Sequence, residues 1–148
     1  MTGVQTCALP IWDVDVQKES WHTKEAYAAD AYRLLTAREL CTNCHQVGMF
    51  TAADLENQGP PLHLAAQRLR PDWVERWMNK PERFVPYQSL MPPYFSKNPK
   101  NLKFQQYHAG SSLEQLQALR DVLMNYPRIA NLEVNRLYVP DAAPVEKK

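Results

Sequence analysis

Cys41-Thr42-Asn43-Cys44-His45 (CTNCH) decides how this chain is read. Two thiols three positions apart, with a histidine directly after the second, form the spacing at which haem is attached through thioether bonds. Positions i and i+3 share one face of a helix. Cys41 and Cys44 can therefore both reach the vinyl groups along one side of a porphyrin, and His45, next in the chain, can turn its imidazole to the iron. Two plainer readings exist: a thioredoxin-like redox pair, which calls for a βαβ setting, and half of a zinc site, which calls for a second pair of ligands. The sequence offers neither context.

Met1 to Ile11 (MTGVQTCALPI) reads as the translation of a common short-read sequencing adapter. The expectation is that residues 1–11 are an artefact, that Cys7 carries no weight, and that residues 12–22 are a truncated linker or arm. A secretory signal would need a basic start and a long apolar run, and this segment has neither. The remaining stretch of about 137 residues is consistent with one domain and a tail. With 45% apolar and 22% charged residues the composition is that of an ordinary soluble protein, and no run approaches the ~20 apolar residues of a membrane span.

Glycines are few, 4, and prolines many, 12, with most of the prolines between Pro60 and Pro99. That distribution predicts short helices joined by rigid, irregular loops. From about Thr23, a plausible N-cap, through Cys44 there is no proline or glycine, and Tyr27, Ala31, Leu34 and Leu35 recur at helical spacing, so a first helix is expected to run into the CTNCH motif. Residues 48–61 read as loop. Pro71 suits the first turn of a second helix with Asp72 and Glu75 near its start, an apolar face of Trp73, Val74, Trp77 and Met78, and Pro81 as its stop. Ser111-Ser112-Leu113-Glu114-Gln115 offers two overlapping capping boxes for a third helix. Its stripe is Leu113, Leu116, Leu119, Val122, Leu123 and Tyr126, ending before Pro127. The expected class is all-α: three main helices and Pro-rich loops over residues 23–127, with a C-terminal extension over 128–148 that is disordered at its end.

A haem iron held by His45 needs a sixth ligand from a distant segment, or stays open. Met49 is too close to His45 to cross to the other face, Met124 lies on the core stripe of the third helix, and Met78 reads as packing. His22 and His108 are further candidates, and His63, after Pro61-Leu62, would make a bis-histidine protein. Met91, in the extended stretch Leu90-Met91-Pro92-Pro93, is the favoured donor because prolines can hold its side chain outward.

Taken together these residues resemble the class I c-type cytochromes over about Tyr27 to Tyr126. Beside Cys41 to His45, the chain has Gly59-Pro60-Pro61-Leu62 where that family carries a Gly-Pro-x-Leu turn. Trp77-Met78-Asn79-Lys80-Pro81-Glu82-Arg83-Phe84-Val85-Pro86, followed by Met91-Pro92, resembles the family's helix end and methionine loop. The resemblance implies a small cytochrome c-like domain around one covalent haem c, with His45 and Met91 as iron ligands. Pro60 would accept the proton of the other His45 ring nitrogen, Leu62 would lie against the ring, and Trp77 would lie near the methionine. It also implies electron transfer between respiratory-type redox partners at a periplasmic or other extracytoplasmic face, without bond-making catalysis, and is compatible with a module of a larger subunit. Three features depart from the pattern: Tyr87-Gln88-Ser89-Leu90 replaces the Pro-Gly often found before the methionine, the first helix lacks its crossing glycine, and residues 93–110 match no motif.

Residues 12–58 hold four basic and eight acidic side chains, residues 66–103 eight basic and three acidic, and residues 104–148 five of each. A basic rim near the Met91 loop would steer an acidic-faced redox partner, or be a solvated face offsetting the haem propionates. No basic motif interleaved with aromatics supports nucleic acid as a partner, and none is expected. The reading from another class is a haem enzyme or gas sensor with an open distal position, for which no recognisable distal histidine or arginine motif is seen. The adapter reading has a direct consequence: deleting residues 1–11 leaves haem loading and melting temperature unchanged, and a clear drop in melting temperature would refute it.

Overall fold

The computed structural model describes residues 24–81, 86–95 and 103–140. Among these, helical segments follow in the order α1 (Lys24–Thr36), α2 (Cys41–Cys44), a 3-10 turn (Leu62–Leu64) leading into α3 (Ala65–Arg68), α4 (Pro71–Asn79), α5 (Ser112–Met124), α6 (Tyr126–Ala130) and α7 (Glu133–Arg136). Extended pairing among the described residues is limited to two isolated bridges, His45 with Gly59 and Val47 with Phe50, so the class is all-α. The expected adapter and linker segments (1–11 and 12–22), the Thr23 cap, Glu82 to Val85, residues 96–102 and the tail from Asp141 lie outside the described residues.

The main contact is α1 against α5, and α4 also packs on α5. Leu34 and Leu35 of α1 and Leu116, Leu119 and Val122 of α5 are fully buried, and Val74 and Met78 of α4 join the same cluster. Each such leucine removes apolar surface worth roughly 1.5–3 kcal/mol from water. Ala31 and Ala118 are small, buried members of the same cluster, one on each of the two main helices. Pro71 occupies the first turn of α4 as expected. Ser111 is the N-cap of α5, exchanging hydrogen bonds with Glu114 in a reciprocal capping box, and Ser112 lies inside the helix.

Polar side chains tie the three helices together at one edge. Arg120 on α5 bridges Glu75 of α4 at 2.9 Å and its own neighbour Asp121 at 2.8 Å. The Tyr27 hydroxyl of α1 donates to Asp121 at 3.0 Å.

Three local expectations are corrected. First, α1 does not continue to Cys44; it stops at Thr36, and a turn precedes the single-turn α2. The cause is a pair of threonines. Thr36 Oγ1 donates back to the Tyr32 carbonyl at 2.8 Å, a bond that competes with continued helix. Thr42 Oγ1 then donates to the carbonyls of Thr36 and Ala37 at 3.1 and 3.0 Å, satisfying groups that a helix end leaves open. Second, Leu113 is 37% exposed while Gln115 is fully buried, so α5 turns a polar residue inward at its first turn. Third, α5 ends at Met124, before Pro127 as expected, but Tyr126 is not on its stripe; it opens α6, with Pro127 in the first turn, where its missing N–H is harmless. Tyr126, Ile129 and Tyr138 from this stretch pack back on the core, and the Tyr32 ring meets those of Tyr126 and Tyr138 at 6.3 Å each.

Thr42 sits between the two cysteines, so its hydroxyl sets where α2 begins relative to α1. Thr42→Val keeps shape and removes the donor, leaving two carbonyls short of a partner. Denaturant titration should show a loss of about 1–2 kcal/mol through the midpoint with the slope unchanged.

Candidate functional site

The CTNCH motif forms one helical turn, with His45 as its C-cap in extended conformation. The His45 amide donates to the Cys41 carbonyl at 2.8 Å, which closes the turn and places both cysteines on it. Both are free thiols. Cys41 packs against the hydrophobic core, and this burial pushes its thiol up to about 12. No group of three or more His, Cys, Asp or Glu side chains suited to holding a metal ion exists among the described residues.

His45 is seated by the loop that follows. Gly59 N–H donates to the Cys44 carbonyl at 2.7 Å and Leu62 N–H to the Gln46 carbonyl at 2.9 Å, so residues 59–62 lie alongside the motif. The Nδ1 atom of His45 stands 2.7 Å from the Pro60 carbonyl oxygen. A carbonyl only accepts, so Nδ1 carries the proton and Nε2 keeps its lone pair for a metal or another donor. Gly59 is required here by close approach: a Cβ would collide with the imidazole Cε1 and come within 2.7 Å of Nδ1. Leu62 is half-buried and packs against the core.

The second half of the site is built on α4 and the Pro-rich segment after it. Trp73 and Trp77, one turn apart, stack with centroids 5.2 Å apart and planes 12° from parallel. The Trp77 indole N–H donates to Met91 Sδ at 3.0 Å, and the Met91 amide donates to Ser89 Oγ at 3.1 Å. Trp73 and Met91 both pack against the core that also receives Cys41 and Leu62. The fold therefore joins His45 to Pro60 and Trp77 to Met91, while Cys41, Leu62, Trp73 and Met91 pack against one buried cluster.

The other candidate donors have surroundings of their own. His63 Nδ1 accepts the Gly48 N–H at 3.1 Å; a neutral ring accepting at Nδ1 carries its proton on Nε2, which then has no lone pair for iron. Met49 is 86% exposed, Met78 is buried in the core, and Met124 packs against it. His108 is buried with its ring edge-on to Tyr27 at 5.6 Å. His22 lies outside the described residues.

An iron porphyrin of the covalent kind needs two reduced cysteines on one turn, a histidine with a free Nε2 and, for closed coordination, a second donor. Cys41, Cys44 and the Nδ1-protonated His45 match the first three of those requirements. Of the basic segment, Arg68, Arg70 and Lys80 are exposed and make no ion pair among the described residues, whereas Arg76 pairs with Asp72 at 2.7 Å. The roles of His63 and Thr42 were not legible in the sequence, since both depend on which carbonyl or amide the fold brings close. Comparison with family models, with curated proteins and with solved structures finds no match.

The Cys41 environment gives a test on haem-free protein. Alkylation at pH 8 followed by peptide mass analysis should modify Cys41 on the order of tenfold or more slowly than Cys44. Equal rates would show that the Cys41 thiol is not desolvated.

Proposed function

We propose that this chain is an electron carrier that would bind one haem c through thioether bonds to Cys41 and Cys44, with His45 and Met91 as the residues that would hold its iron. The observation that carries the reading is the bond from His45 Nδ1 to the Pro60 carbonyl. It prepares one ring nitrogen for a metal and fixes the plane of the ring, a provision that neither a thiol redox pair nor a packing histidine requires. A haem c bound there supplies a one-electron iron couple, and histidine–methionine ligation favours a raised potential over two nitrogen donors.

The chain's own residues then do three things. Pro60 holds the His45 tautomer and raises the basicity of Nε2 through its carbonyl. Trp77 donates its indole N–H to the Met91 sulfur, which would orient the thioether toward a bound metal. The stack on Trp73 limits rotation of the Trp77 ring, so the sulfur is held before and after electron transfer with little rearrangement. The exposed Arg68, Arg70 and Lys80 favour an acidic-faced redox protein as partner, with association slowing as salt rises. Attachment chemistry of this kind belongs to the extracytoplasmic face of a bacterial membrane, where a module of a larger subunit is equally accommodated.

Protein made with a cytochrome maturation system should have the mass of chain plus haem under denaturing conditions and keep the haem through acid-acetone extraction. Met91→Ala should abolish the weak far-red sulfur-to-iron band of the ferric form, lower the reduction potential and admit carbon monoxide, whereas His63→Ala and Met78→Leu should retain the band. Extraction of the haem would overturn covalent attachment. Native protein that already binds carbon monoxide readily would replace the carrier by a haem enzyme or gas sensor.

A further inference from the structure

Residues 93–110 match no motif and take no part in the chemistry described above, yet among the described residues they and the adjoining start of α5 combine a positive-φ phenylalanine with buried polar atoms that lack partners. Phe104 has φ of 62°, the one non-glycine residue with positive φ among the described residues. That conformation costs a residue with a bulky side chain on the order of 1 kcal/mol or more. Its carbonyl accepts the amides of both Tyr107 and His108, at 3.1 and 3.2 Å, so residues 103–108 form a closed turn.

Gln115, fully buried on the first turn of α5, clasps that turn: its Nε2 donates to the Lys103 carbonyl at 2.8 Å and to the His108 carbonyl at 2.9 Å. The two buried side-chain polar atoms that lack a partner among the described residues, His108 Nδ1 and Gln115 Oε1, belong to this same clasp. Burying an unpaired polar atom costs about 1–3 kcal/mol. The turn is therefore kept at an energetic cost that a simple surface connection would not require.

What the turn holds is the Phe104 ring, and what that ring touches is the far end of the Met91 segment. Phe104 meets Tyr94 edge-to-face at 5.7 Å and Phe95 at 5.9 Å. Phe95 is 3% exposed. Tyr94 is joined to Pro92 by an amide–carbonyl bond of 2.9 Å, so position 91 is tied at one side by Ser89 and Trp77 and at the other through Pro92 to the Phe104 pin.

We propose that residues 103–110 are a latch on the methionine loop, with Phe104 as its pin and Gln115 as the positioning residue that keeps it closed. The latch fixes Met91 from beyond the prolines, and its release lets the thioether leave its place while the α1–α5 core stays folded. The proposal rests on Met91 being an iron ligand for its effect on haem, but not for its effect on the loop, and the test separates the two.

Amide hydrogen exchange is measured on the full chain, haem-loaded and haem-free, for the native protein and for Gln115→Met, Phe104→Ala and Phe104→Tyr. The expected result is exchange at Met91 and Tyr94 faster by about tenfold in Gln115→Met and Phe104→Ala. The amides of Leu34 and Leu35 should be unchanged, and Phe104→Tyr should behave as native. In the loaded protein the same two variants should bind carbon monoxide faster and lose the far-red band at lower pH than native. Unchanged exchange at Met91 and Tyr94, or acceleration only in step with Leu34 and Leu35, overturns the latch. A native protein with no far-red band overturns Met91 ligation instead, while the exchange data still decide the latch.

Discussion

The contact between His45 Nδ1 and the Pro60 carbonyl, 2.7 Å long, is the constraint around which the rest of the site is organised. An imidazole has two nitrogens and, when neutral, one proton. Which nitrogen can reach a metal is settled by what holds the other. For Pro60 to lie beneath His45 the loop must pass within touching distance of the ring, which excludes a side chain at Gly59 and demands the ladder of amide bonds from Gly59 and Leu62 to the motif backbone. The loop is held in turn by His63, which accepts the Gly48 amide and is thereby spent as a ligand.

The fold supplies what this small constellation cannot. Helices α1 and α5 bury a column of leucines, and α4 adds Val74 and Met78. From that base the two halves of the site emerge independently, one from the turn after α1, the other from α4 and the Pro-rich segment. Proline explains why the second half needs help. It fixes φ and removes amide donors, so a segment such as Leu90 to Pro93 is stiff within itself but poorly bonded to its neighbours. Its side chains must be tied at the ends, at Trp77 on one side and Phe95 on the other.

The CTNCH motif, the Pro71 start of α4, the Ser111 cap of α5 and most of the apolar faces of the main helices were legible in the sequence because each is local. A cap or a helical stripe involves residues three or four positions apart, and spacing alone reveals them. The pairing of Trp77 with Met91 was legible only as a neighbourhood, through resemblance to the class I c-type cytochromes. Reading α1 through to Cys44 failed because absence of proline and glycine does not reveal a threonine hydroxyl six residues on that closes a helix end. The apolar stripe of α5 failed at Leu113 and Gln115, since an inward glutamine makes sense only once the carbonyls of Lys103 and His108 are beside it.

The sequence by itself determined the chemistry on offer: two thiols and an imidazole on one turn, a thioether among prolines, and helices with one apolar face each. It could do so because these are properties of residue type and of separations of a few residues. Only the tertiary structure decided which nitrogen of His45 is free, that His63 is occupied, that Trp77 reaches the Met91 sulfur, and that Gln115 clasps a strained turn. Each of those is a hydrogen bond between groups 7 to 15 positions apart. A bond of about 3 Å is made or lost on displacements much smaller than any sequence pattern resolves.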